Sequence, residues 1–198
     1  MRQDAARNRR AILEATEELL RSHRPDEVTI EQVAAAAGVG KGTVFHRFGS
    51  RMGLMVALMQ ERALELGELV HSGEPPLGPG APARDRLLAF LSAVVEVVGR
   101  NKGLMAALGQ EVAAMARPHN GPAREHPIYD MWHTHVSTLI KTERPDLDAD
   151  LLADLLLAGL HSDPILTLLE RGETDRLTAA LHTLATGALN TRESRPQP

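Results

Sequence analysis

The chain is predicted to be all-α, with an N-terminal three-helix helix-turn-helix unit, a larger C-terminal helical domain and about nine helices in total. Three observations predict this. Apolar residues recur at intervals of three and four along most of the 198 residues. No run of about four to eight residues alternates as a half-buried strand would. Leu, Ala, Glu and Arg dominate, while aromatic residues make up 3% of the chain.

The first helix is expected over Arg2 to His23, with Ile12, Leu13, Ala15, Thr16, Leu19 and Leu20 on its apolar side. Arg2, Arg7, Arg9 and Arg10 gather at its start, where positive charge opposes the helix dipole. They read as an arm reaching DNA backbone or minor groove, or as a frayed, solvated terminus. Pro25-Asp26 turns the chain. Thr29 and Gln32 then form a capping box, flanked by the staple pair Val28 and Val33. Four alanines continue that helix until Gly38, a residue able to take positive φ, ends it.

The next helix fits Lys41 to Phe48. At about 100° per residue, Val44 and Phe48 make its apolar stripe. Gly42, Thr43 and His46 lie opposite, with Phe45 and Arg47 on the flanks. A small residue that permits close approach, combined with donors for phosphates and base edges, is what a helix lying in a DNA major groove requires.

These residues resemble the helix-turn-helix of the TetR family of bacterial transcriptional regulators, which reads close to T-x-x-x-[IVL]-A-x-x-A-G-V-S-x-G-T-[LVI]-[YF]-x-[HR]-F-x-[SN]-[KR]. Thr29, Val33, Ala34, Ala37, Gly38, Val39, Gly42, Thr43, Val44, Phe45, Arg47, Phe48, Ser50 and Arg51 stand at its positions. Gly40 replaces a Ser cap, Phe45 a more usual Tyr, and Gly53 a frequent Glu that would partner Ser50 in a capping box. The resemblance covers the N-terminal quarter of the chain. It implies that Lys41, Gly42, Thr43 and His46 approach base edges, while Thr29, Phe45, Arg47 and Arg51 follow the phosphate backbone. For Thr29 capping alone, and for Gly42 the needs of the turn, are the alternative roles.

After Ser50 an apolar-rich helix is expected to His71, connecting the two domains. Gly73 to Pro82 holds four of the 12 prolines and reads as a mobile loop. Arg84 to Gly99 is a densely apolar helix, followed by a short one from Lys102 to Ala116. The only Trp and Tyr lie on the next, Ala123 to Thr142. Phe90, Met105, Met115, Tyr129, Trp132 and His161 are candidates to line a small-molecule pocket, or else are core. His133 and His135 stand two apart and so do not share a helix face, which argues against a metal pair.

A long helix is expected from Ala149 to Arg171, capped by Asp146 or Asp148. Pro164 would kink or restart it, with Asp163 as the new cap. A last helix from Asp175 to Leu189 would be capped by Thr174, before a disordered tail at 193–198. Leu151, Leu155, Leu156, Leu177, Leu181 and Leu184 are a surplus beyond one packing face, and mark a candidate dimer interface. The resemblance agrees, because the last two helices of TetR-family members pair with their mates. The resulting division is a DNA-binding domain at 1–50 and a ligand-binding and dimerisation domain at 51–192, of which 51–72 is the connecting helix.

Charge is unevenly spread. Residues 1–52 hold nine Lys and Arg against seven Asp and Glu, whereas the remainder holds 13 against 19. The absence of cysteine excludes disulfides and Cys-ligated metal and fits a reducing cytoplasm. The basic start is no signal peptide, and no apolar run suits a membrane span. Nucleophile-base pairs, phosphate loops, HExxH and paired-carboxylate spacings are all lacking, so no catalytic residue, metal site or cofactor is expected.

The partners expected are a palindromic double-stranded DNA operator, a second copy of the chain and an unidentified small-molecule effector that releases the DNA, without a membrane. The second reading is a DNA-binding regulator with no small-molecule effector, controlled by a protein partner or constitutive.

Overall fold

The computed structural model describes residues 2–108 and 127–191, which form nine α-helices and no strand. They divide into two compact units: the first includes residues up to Leu64 and the stretch beginning at Gly103, the second includes 65–102 and the described residues from Pro127 onward.

The first unit contains α1 (Arg2–Ser22), a 3-10 turn at Pro25–Glu27, α2 (Ile30–Ala36), α3 (Lys41–Phe48) and the beginning of α4 (Arg51–Ser72). Its core joins Ile12 and Leu13 of α1 to Val28, Ile30 and Val33 around α2, Val44 of α3, and Leu54, Met55 and Leu58 of α4. The Thr16 hydroxyl, buried among them, donates to the Ile12 carbonyl at 2.7 Å and so leaves no orphan donor. Arg9 pairs with Glu61, and Arg62 Nε donates to Glu17 Oε2 at 3.0 Å. These two pairs fix α1 against α4. Of the remaining N-terminal arginines, Arg7 pairs with Asp4 and Arg10 with Glu14, partly offsetting their unfavourable place on the dipole.

The second unit comprises the rest of α4, then α5 (Ala83–Leu108), α6 (Pro127–Glu143), α7 (Ala149–Ala158), a 3-10 turn at Gly159–His161, α8 (Asp163–Glu170) and α9 (Thr174–Asn190). Gly99 does not end a helix as expected, because α5 runs straight through it. A Cβ at Gly99 would lie 2.9 Å from Thr174 Cγ2, so the glycine serves close packing rather than termination. The short helix expected over 102–116 therefore begins as part of α5, and its remainder lies outside the described residues, as does the start expected for α6 at Ala123 and the tail at 193–198.

The long helix expected over 149–171 is instead two helices. Asp148 caps α7, accepting from the Leu151 N–H at 3.1 Å, while Asp146 is bound to Arg144. Pro164 stands in the first turn of α8, where its missing N–H leaves no bond unmade. Ser162, not Asp163, holds the N-cap position. Gly172 at φ +75 closes α8, with the Gly172 and Glu173 N–H groups returning to the Leu169 and Leu168 carbonyls. The N-cap of α9 is Glu173, and Thr174 is its first residue. At the far end of α9, Arg144 Nη1 donates to the Leu189 and Thr191 carbonyls, each at 2.7 Å, and satisfies carbonyls that the helix end leaves free.

The segment 73–82 folds back on itself. The Gly78 N–H donates to Glu74 O at 3.0 Å, and a Cβ at Gly78 would sit 1.8 Å from the Gly73 carbonyl oxygen. Among the described residues no single helix is long and apolar enough to cross a membrane, although the bent pair α7 and α8 passes a test of length and composition together.

Candidate nucleic-acid interface

Local chemistry sets the geometry from α2 to α3. The Thr29 hydroxyl accepts from the Gln32 N–H at 3.2 Å, and Gln32 Oε1 accepts from the Thr29 N–H at 2.8 Å. Both halves of the capping box are made, and Val28 and Val33 are buried as the staple requires. Gly38, at φ +65, ends α2 in a full Schellman arrangement: its N–H donates to Ala35 O at 3.2 Å, and that of Val39 to Ala34 O at 3.0 Å. The chain then turns sharply, and Gly40 becomes the N-cap of α3 in extended conformation.

Within α3 the single fully buried side chain is Val44, while Phe48 packs partly against the same core. Lys41, Gly42, Phe45 and His46 are exposed, and Thr43 and Arg47 are half-buried. A Cβ at Gly42 would meet nothing within 4 Å, so the chain itself leaves that spot open. Phe45 is 43% exposed, and the Lys41 ammonium lies 5.7 Å from its ring centroid. Lys41 also pairs with Glu31 of α2, and that hydrogen bond holds the Glu31 carboxyl below its ordinary pKa. The Nε of Arg47 is buried without a hydrogen-bond partner among the described residues.

Two residues act differently from what their positions suggest. Arg51 turns inward: its Nε donates to Val28 O at 2.8 Å and an Nη to Pro25 O. It thereby anchors the segment that leads into α2. Gly53 is the second. Its N–H donates to Ser50 Oγ at 2.9 Å, so the cap on α4 forms without a glutamate, and a Cβ there would lie 2.0 Å from the Phe48 carbonyl oxygen. The glycine lets α4 start directly against the end of α3. Neither role could be read from local spacing, since both depend on contacts between elements.

The other candidate residues lie in the second unit. Phe90, Tyr129 and Trp132 are buried. The Phe90 ring meets the His135 ring edge-on at 4.8 Å, and the Tyr129 hydroxyl donates to Asp154 Oδ1 at 3.2 Å. Met115 and the side chains of Met105 and His161 fall outside the described residues. His133 turns to Asp150 O and Asp154, whereas His135 turns to Phe90, so the two diverge. Of the six leucines, Leu156, Leu177 and Leu181 are buried within their own unit, while Leu151, Leu155 and Leu184 are 54%, 65% and 63% exposed. Leu155 and Leu184 line an apolar groove of about 220 Å³ together with Leu152, Ala188 and Leu189.

Two helices joined by a tight turn, the second leaving its small and donor-bearing face open, have the form of a helix-turn-helix unit. Residues 12–58 match the model of a family described as bacterial regulatory proteins, tetR family. The HTH-type transcriptional repressor AcnR of Corynebacterium glutamicum is 32% identical over 63 residues, which is 32% of this chain and 34% of that protein. The match thus spans about a third of that relative's length. Among solved structures, a TetR transcriptional regulator from Streptomyces coelicolor aligns over 91% of this chain and 97% of its own at a TM-score of 0.62 and 21% identity. The fatty acid degradation regulator FadR from Bacillus halodurans aligns over 92% and 98%, at 0.54 and 15%. At such identities these two structures speak for the fold. Residues 12–58 thus match the TetR family, and the fold of the chain resembles that of a solved TetR regulator.

Proposed function

We propose that the chain is a homodimeric repressor that binds a palindromic operator through α3 and leaves it when a small molecule occupies the second unit. The open face of α3 carries the reading: Lys41, Gly42, Thr43 and His46 approach base edges, with Thr29, Phe45 and Arg47 beside the phosphates. Arg51 contributes by holding the entry to α2, since its guanidinium is bound to two backbone carbonyls.

One helix-turn-helix reads half a site. A dimer sets two such helices about 34 Å apart on one side of the duplex, which is why symmetry produces a palindrome. The surface we assign to the second copy is that of Leu151, Leu155 and Leu184, three leucines on α7 and α9 that stand more than half exposed. Release follows if the effector favours a spacing of the two α3 helices that the operator does not accept. Moving such an equilibrium from about 1:99 to 99:1 takes about 5.5 kcal/mol of differential affinity, shared between two subunits. The helix suited to transmit it is α4, which contributes residues to both units.

The test is selection of sites from random duplex DNA by the wild type and by Leu155→Asp/Leu184→Asp. A palindrome with half-sites one helical turn or a multiple apart is expected, with the paired requirement lost in the charged variant. Selection of unpaired sites by both proteins would refute the dimeric reading.

A further inference from the structure

Among the described residues, three polar atoms in the second unit are buried without a hydrogen-bond partner: Arg86 Nε on α5, and Trp132 Nε1 and His135 Nε2 on α6. Arg86 acts electrostatically on His135, and Trp132 lies one turn before His135 on the same helix. Trp132 and His135 are three apart and so share a face of α6. Phe90, one turn beyond Arg86 on α5, touches the His135 ring at 4.8 Å. The Arg86 charge is felt at His135, whose pKa is lowered to about 4 chiefly by burial and further by that guanidinium. Buried polar groups are seldom left unpaired, and each such group calls for a partner.

The chemistry of the missing partner follows from the atoms. The indole N–H and the guanidinium Nε–H can only donate, so the partner must accept at two points. Arg86 is also a cation whose one hydrogen bond among the described residues runs from Nη2 to Val70 O at 3.1 Å, with no carboxylate of those residues at ion-pair distance. Water could accept the bonds but would not offset the charge. The same helices carry the buried apolar side chains Phe90, Leu91, Val136 and Leu139, of which Phe90 meets the His135 ring. We propose that Arg86 and Trp132 bind the carboxylate of a small organic acid with an apolar body, His135 completing the head-group site. The inference rests on the repressor reading only for its regulatory meaning; binding itself is tested separately.

Trp132 is the only tryptophan in this sequence, so its emission reports directly on this site. The probes are butyrate, octanoate, dodecanoate and phenylacetate, each beside its primary amide. A carboxylate should change Trp132 emission saturably and bind about 10-fold or more tighter than its amide, since a charge-assisted hydrogen bond is worth that factor or more. Arg86→Met should weaken the carboxylate more than its amide and so remove that preference, and Arg86→Lys should restore part of it. Trp132→Phe, followed by calorimetry, should weaken the carboxylate by about 10-fold without changing the fold, and serves as the independent variant if Arg86→Met does not fold.

Equal binding of acids and amides, unchanged carboxylate affinity in both Arg86→Met and Trp132→Phe, or no binding of any carboxylate at millimolar concentration would each overturn the proposal. Carboxylate binding without release of the selected DNA would leave the site standing and refute the effector role alone.

Discussion

Replacing Gly53 by Ala tests how the recognition helix is held. An added Cβ would stand 2.0 Å from the Phe48 carbonyl oxygen and 3.2 Å from its carbon, whereas ordinary van der Waals contact begins near 3.4 Å. The close atom belongs to backbone, so relief requires the end of α3 and the start of α4 to part by more than an ångström. Overpacking of this kind costs about 1–3 kcal/mol. Against it stands the helix preference of Ala over Gly, at most about 1 kcal/mol. The net expectation is a loss of about 1–2 kcal/mol, which in a chain of this length lowers the melting temperature by roughly 3–6 °C. Because Phe48 is the last residue of α3, the displacement should also weaken DNA binding. Thermal melts and fluorescence anisotropy on a selected duplex, for wild type and variant side by side, measure both. A Gly53→Ala protein that is as stable as wild type and binds DNA equally well would refute the close-approach argument.

Glu31→Gln releases Lys41 from its ion pair and removes a carboxylate beside the DNA-facing surface, so DNA affinity should rise and the salt slope steepen, read from binding at several salt concentrations. Arg51→Ala deprives the Pro25 and Val28 carbonyls of their donor; operator binding and thermal stability should fall together, whereas loss of a phosphate contact alone would leave the melting temperature unchanged. For His135 the pKa is about 4 against an ordinary 6.5, so between those values the unfolded chain binds more protons than the folded one. Stability is therefore complete above about pH 6.5 and falls toward pH 4, by about 1–2 kcal/mol once the full shift is discounted for partial solvent screening. Urea midpoints across that range should show the slope, and His135→Leu should flatten it.

The path from Val28 to Phe48 was legible because its determinants are local: a capping box spanning four residues, a staple, a glycine in the left-handed region and a short stripe at helical spacing. Pro164 likewise announced the restart of α8. Tertiary contact hid the rest. Gly99 reads as a stop signal but serves close packing on Thr174, and Gly53 reads as a lost cap but is a point of close approach. Arg51 matches a position that the family resemblance aligned with phosphates, yet its carbonyl partners lie 23 and 26 residues away in sequence. In the second unit Trp132 was evident as the single indole and His135 only as half of a rejected metal pair, while Arg86 had no signal of its own, since only the packing of α5 on α6 brings Arg86 to His135.

The central claim is that α3 reads base sequence, and the most direct measurement is to repeat the duplex selection with Thr43→Ala and His46→Ala. Both side chains lie on the open face of α3 and neither is part of its core. The account predicts that each variant relaxes the preference at one symmetric pair of positions, a loss of about 1–3 kcal/mol of discrimination, while the salt dependence stays as in wild type. Unchanged preferences in both variants, or a uniform loss of affinity across all sequences, would contradict it.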